Sequence, residues 1–342
     1  MFFDATARRD FHAVTSCFAR LLETNGNGRT VADPHSEIWP PIRETVGAWE
    51  LWDIWRRDAS LLEMFYAPAL AAMPEGSIYF GGTGHGRFAI TALTATNPFP
   101  RVFTITQNAL VDNVYAGYLR AIYGDRIWLP QNNDLALVFQ RLVDEIQSGK
   151  RKTDAVTAKD GHTVQVNGDL GLMEINGIIC EMIFENNRDG HAFFVEESYV
   201  LDWMYPFLEP CGVILRLHAQ QLDTLPEETV ARDHAFWDDL EKRLTANPGF
   251  AGNMAARNAF AKLRTAIAGI YTYRKRYDAA ETAFAQARRL SPSLPETNIR
   301  FAEMYVQSGD TDRAIQTLES FLPLAPASIR DQITSKLHSL KQ

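Results

Sequence analysis

The sequence predicts an α/β domain with helices ahead of it and an all-helical repeat domain behind it. Three observations lead there. Short β-type runs alternate with helical ones between about 74 and 220, as in a mostly parallel sheet covered by helices. A glycine-rich turn within 77–88 follows the first apolar strand signal and opens a helix. Beyond about 260, alanine, aromatic and proline residues return at a fixed spacing of 34. The chain so read divides into a helical segment over 1–73, an α/β domain over 74–223 and a helical domain over 224–342.

Composition narrows the function classes. With 342 residues, 46% apolar and 22% charged, the chain has enough apolar sequence for a sizeable core. A formal net charge of -8 argues against nucleic acid or an anionic membrane as a general partner. Cys17, Cys180 and Cys211 are few, far apart and odd in number, which points to core thiols in a reducing compartment rather than a disulfide framework or zinc knuckle. The N-terminus carries Asp4 and Arg8 where a secretory leader needs an apolar run. No apolar stretch approaches the ~20 residues of a membrane span. The expectation is a soluble, cytoplasmic chain.

The N-terminal segment shows helical spacing around Phe11, Val14, Phe18, Leu21 and Leu22, and again around Trp49, Trp52, Leu61, Leu62 and Phe65. Between them Asn25-Gly26-Asn27-Gly28, Pro34, Pro40 and Pro41 mark loop. Trp39, Trp49, Trp52 and Trp55 read as a stripe packed on the following domain. There the expected order is strand 78–80, helix 87–95, strand 102–106, helix 111–123 and a short strand or edge at 126–130. A helix over 134–146 follows, with Leu135, Val138, Phe139 and Leu142 on one face. The polar stretch 149–170, in which Thr163-Val164-Gln165-Val166 alternates, reads as a surface hairpin or flap. Then come a buried helix over 172–184, a strand at 193–196, a short helix at 203–208 ended by Pro210 and a last strand at 213–217. This alternation is Rossmann-like.

In such a sheet ligands gather at the carboxyl ends of the strands. The first strand delivers Gly82, Thr83, Gly84, His85, Gly86 and Arg87. Closely spaced glycines let backbone approach a ligand, and the amides opening the next helix favour a phosphate or carboxylate. Arg87 can clamp that anion in a bidentate fork, and His85 is the group there that titrates near neutrality. The second strand delivers Gln107 and Asn108, then Asp112 and Asn113. Amides in place of the usual ribose-binding acid weaken a dinucleotide reading and leave a sugar or nucleotide sugar as cofactor or ligand. The candidate binding set is therefore Gly82, Thr83, Gly84, Gly86, Arg87, Gln107, Asn108 and Asn113; its structural rival is a plain strand-to-helix turn.

His85, Asp112 and Glu196 are the catalytic candidates. Asp112 and Glu196 are also candidate ligands for a divalent cation, whose bound water would attack a small ester or lactone such as an acyl-homoserine lactone. The simpler reading makes Asp112 a helix N-cap and sends Glu196 and Glu197 to opposite strand faces. No zinc-type His spacing and no Gly-x-Ser-x-Gly elbow occurs. His162 and His191 follow glycine in polar turns and read as solvated loop residues.

The linking helix at 231–244 leads into the repeat. Ala268, Tyr271, Ala280, Phe284 and Pro292 recur as Ala302, Tyr305, Ala314, Leu318 and Pro326. Period and residue pattern resemble the tetratricopeptide repeat, with units at 261–294 and 295–328 and a capping helix over 329–340. Two units offer either structural support or a surface for a protein partner.

The runs Phe80-Gly81-Gly82-Thr83, Gly86-Arg87-Phe88, Ile105 to Leu110 with Asp112-Asn113, Val195 to Ser198, and Trp203 to Pro206 resemble the soluble C-terminal region of bacterial membrane glycosyltransferases related to protein O-mannosyltransferases. Tetratricopeptide-like repeats follow in those proteins too. The resemblance implies a sugar- or acceptor-binding accessory domain. The multi-pass half that is expected to hold the catalytic acid and lipid-linked donor is not in this sequence, and Gly84-His85 stands where the family tends to read Asp-Pro.

Overall fold

The computed structural model describes residues 10–22, 59–81, 90, 101–149, 156–160, 163–166, 168–196 and 200–342. It separates into two compact units, one of 1–54 with 75–193 and one of 55–74 with 194–342. The strands are β1 (Ser77–Gly81), β2 (Val102–Thr106), β3 (Val156–Asp160), β4 (Thr163–Val166), β5 (Phe193–Glu196), β6 (Leu208–Cys211) and β7 (Ile214–Leu217). Five of them form a sheet in the order β2-β1-β5-β7-β6, and β3 and β4 form a separate pair.

In the first unit, β1 and β2 are parallel, in register from Ser77↔Val102 to Gly81↔Thr106. Every residue of both strands is buried, as expected of parallel strands covered on two faces. A 3-10 turn, Gln107–Ala109, leads to α3 (Asn113–Tyr123), after α1 (Phe11–Leu22) and, in the second unit, α2 (Ala59–Ala72). Asp112 caps α3 by accepting from the Val114 amide at 2.8 Å. Tyrosines bolt this helix to β2: the Thr106 amide donates to Tyr115 Oη, and Tyr123 Oη donates to the Thr104 carbonyl, both at 2.8 Å.

The strand expected at 126–130 does not form. Arg126 turns back to donate to the carbonyls of Ile122 and Tyr123, and a side chain rather than a strand pairs with Trp128. That side chain is Asn187, which accepts from the Trp128 amide at 2.7 Å and donates to its carbonyl at 3.0 Å. The helix α4 (Asn132–Gln147) starts in a capping box of Gln131 and Asp134. It buries Val138 and Leu142 as expected, but Phe139 is 42% exposed; Val143 fills the inner face instead. The flap is an antiparallel hairpin of β3 and β4 with an irregularity between Ala158 and Asp160. Next in the chain, α5 (Gly168–Asn187) buries Ile175, Ile178, Ile179, Ile183 and Phe184, the last edge-on to Phe193 at 5.2 Å.

In the second unit, a 3-10 segment (Asp202–Phe207) gives way to β6, not to the helix end expected from Pro210. Pro210 lies inside β6, the terminal strand of the sheet. β6 and β7 are antiparallel, so the sheet is mixed. Their two-residue connection begins at Gly212, whose φ of +67° suits the tight turn such hairpins need. Then follow α6 (Glu227–Ala246), α7 (Met254–Tyr273), α8 (Tyr277–Leu290), α9 (Pro295–Ser308), α10 (Thr311–Phe321) and α11 (Arg330–Leu340).

The repeat residues behave as their spacing requires. Ala268, Ala280, Ala302 and Ala314 are fully buried where helices approach, and Tyr271, Phe284, Tyr305 and Leu318 fill the space between them. The turns correspond as well: Gly309 takes φ +86° and Lys275, one repeat earlier, φ +56°. A buried ion pair fixes α6 to α7. Arg264 Nη1 lies 2.6 Å from Asp233 Oδ2, and Tyr271 Oη donates to the same oxygen at 2.7 Å. Arg264 Nε donates to Gln286 at 2.8 Å, and its guanidinium lies over the Trp237 ring.

Candidate functional site

Gly82, Thr83, Gly84, His85, Gly86 and Arg87 lie outside the described residues. The strand ends that deliver this region are described. Gly81 pairs with Thr106, so both parallel strands finish side by side. Gln107 is buried in the following turn, the Asn108 carbonyl accepts from Asn176 Nδ2 at 3.1 Å, and Asn113 is the exposed first residue of α3. Asp112 is exposed and caps α3 through Oδ1. Glu196, half-buried at the end of β5, belongs to the second unit. Among the described residues no group of three His, Cys, Asp or Glu side chains is placed to hold a metal ion.

Asn176 was not singled out by sequence. Buried on α5, it accepts from the Val111 amide at 2.8 Å while donating to Asn108, and so fixes the loop after β2. An asparagine inside an apolar helix stripe is its signal, because a buried amide needs partners on both its oxygen and its nitrogen.

A pocket lies on the repeat face. Gly269, Thr272 and Tyr273 of α7 and Arg300, Glu303 and Gln307 of α9 line a pocket of about 210 Å³ with Tyr205 and Phe284. Two arginines in the turn between α7 and α8 hold the segment that brings Tyr205 there. Arg274 donates to the carbonyls of Leu222 at 2.8 Å and Pro206 at 3.0 Å, and Arg276 to that of Leu225 at 3.2 Å. Tyr205 stacks on Tyr273 with centroids 5.1 Å apart. Its hydroxyl lies 3.5 Å from Arg300 Nη2, and burial holds its pKa above the ordinary phenol value.

Arg300 reaches this position because residue 269 has no side chain: a Cβ there would stand 2.1 Å from Arg300 Nη2. On its other side Arg300 faces Glu296 at 3.6 Å, and Glu303 is ion-paired with Lys336. Sequence reasoning missed this pocket. Its signal lay in the repeat phase, since Gly269 and Glu303, and likewise Tyr273 and Gln307, occupy matching positions of successive units.

A tetratricopeptide repeat family model matches residues 272–331. No curated protein and no solved structure matches the chain. Among the described residues no helix is long and apolar enough to cross a membrane.

Proposed function

We propose that this chain is a binding module akin to the soluble regions of membrane glycosyltransferases, and that its repeats hold a small polar ligand in the pocket between α7, α9 and Tyr205. The observation that carries the reading is the convergence of Tyr205, Arg300, Glu303 and Gln307 on one concave space over an aromatic base. Repeat helices also suit a protein partner, and a single partner side chain is the rival guest for the same space. The test is thermal unfolding of the full chain with sugars, nucleotide sugars, dinucleotides and short peptides, because a ligand bound only by the folded state raises its apparent stability. A shift lost in Gln307→Ala supports the pocket; a shift that persists there removes it.

A second reading keeps the ligand at the glycine-rich turn. The side-by-side ends of β1 and β2 favour it, since Gly81 and Thr106, which precede the glycine run and Gln107 in the chain, are paired. A nucleotide-sugar shift that vanishes in Gly84→Val and survives Gln307→Ala would support this site over the pocket. The third alternative, metal-assisted hydrolysis of a small ester or lactone, keeps Asp112 and Glu196 as its candidate ligands, with Asp112 Oδ1 also accepting from the Val114 amide.

A further inference from the structure

We infer that the repeat-face pocket takes a neutral, polyhydroxylated six-membered ring, a single hexose unit; this rests on the pocket being the ligand site. Size restricts the guest first. About 210 Å³ is below the range of roughly 300–1,000 Å³ in which drug-sized ligands bury themselves, and it suits one ring better than a length of peptide.

Charge restricts it next. The cation Arg300 is backed by Glu296, and the anion Glu303 is paired with Lys336. An anionic guest approaching Arg300 meets two carboxylates, and a cationic guest approaching Glu303 meets a guanidinium and an ammonium. Either would surrender hydration without a net opposite charge to receive it, whereas a neutral guest avoids that cost.

The hydrogen-bonding groups then select hydroxyls. Arg300 only donates, Glu303 only accepts, and Gln307 and the Tyr205 hydroxyl do both. Thr272 Oγ1 donates to the Ala268 carbonyl at 2.9 Å, which leaves it an acceptor toward the pocket. A wall that alternates donors and acceptors over a few ångströms is matched by adjacent hydroxyls, each of which both gives and takes a proton. The aromatic side fits the rest of such a ring. Tyr273 is 50% exposed and stacked on Tyr205, and the negative face of an aromatic ring attracts the weakly positive C–H face of a pyranose.

The experiment titrates the full chain with free glucose, mannose, galactose and N-acetylglucosamine, read by saturation-transfer NMR, with an acidic and a basic hexapeptide alongside. At least one hexose should bind at millimolar concentration, insensitive to added salt, and Tyr273→Ala and Gln307→Ala should each weaken it about tenfold. Both variants are read for folding by their thermal transitions. A hexose signal unchanged in both variants overturns the assignment. Binding of a peptide only, salt-dependent and lost in both variants, overturns the hexose but keeps the pocket as ligand site. Silence from every probe, with no response from the wider ligand panel, overturns both.

Discussion

The Arg300 guanidinium lies in the volume that a side chain on Gly269 would fill, with only 2.1 Å between its Nη2 and the missing Cβ. Gly269→Ala should therefore expel Arg300 from the pocket while leaving the helix intact. Alanine is favoured over glycine in a helix interior by up to about 1 kcal/mol, and the displaced group is the far end of a flexible side chain. The expected outcome is unchanged or slightly raised thermal stability with loss of the pocket's ligand response. A strongly lowered melting temperature would show that the helix packing depends on Arg300 staying in place.

The Asp233–Arg264 pair should act as a lock between α6 and the first repeat. Both side chains are essentially inaccessible to solvent, so removing one strands the other's charge. Asp233→Ala is expected to cost about 3–5 kcal/mol, and replacing both by apolar residues, Asp233→Leu with Arg264→Met, should cost less than the single change. Denaturant titration of the three proteins reads the difference. A double variant as damaged as the single would place the loss in packing over Trp237 rather than in charge.

Acid should weaken the second unit in two steps of the same sign. Burial, with Arg264 nearby, holds His234 below its ordinary value of 6.5, so the unfolded chain takes up that proton first and stability falls as pH drops through 6.5. Glu209 is held below 4.5 chiefly by its hydrogen bond with His218, and its contribution, full above 4.5, is lost at lower pH. Unfolding followed from pH 8 to 3 should show both losses. His234→Gln should remove the upper and Glu209→Gln the lower; a profile unaltered by either change would refute the assignment.

Asn176→Ala should loosen the loop after β2 without unfolding the sheet. It leaves the Val111 amide and the Asn108 carbonyl without their side-chain partner, at about 1–3 kcal/mol. Hydrogen exchange should accelerate at Val111 while the amides of β1 remain protected. Equal acceleration in both would mean that α5, not one loop, is disturbed.

What the sequence made legible follows from where each signal is stored. The strands β1, β2 and β5 and the two repeats were readable because their patterns are local or strictly periodic. The stretch 126–130 has the local pattern of a strand but not its pairing, because the Trp128 backbone bonds to the side chain of Asn187, 59 residues away, which no local pattern displays. Pro210 signals the end of a helix to any local reading, because its tolerance in a strand depends on which strand is terminal in the sheet. The pocket was hidden for a similar reason. Gly269 and Arg300 each look like ordinary helix residues, and they acquire meaning only when the two repeats are stacked. For the glycine-rich turn, the described residues reach the strand ends on either side of it and not the turn itself.

Pro210 also bears on how copies of this chain behave at high concentration. In a hairpin closed by the Cys211↔Ile214 pair, the next pair, Pro210↔Leu215, does not exchange backbone bonds, so the ring nitrogen faces away from β7. A strand from another molecule trying to add to that side would find no proton to share at this position. Among the described residues β6 is the outermost strand, and the missing proton at Pro210 makes it a poor template for strand addition.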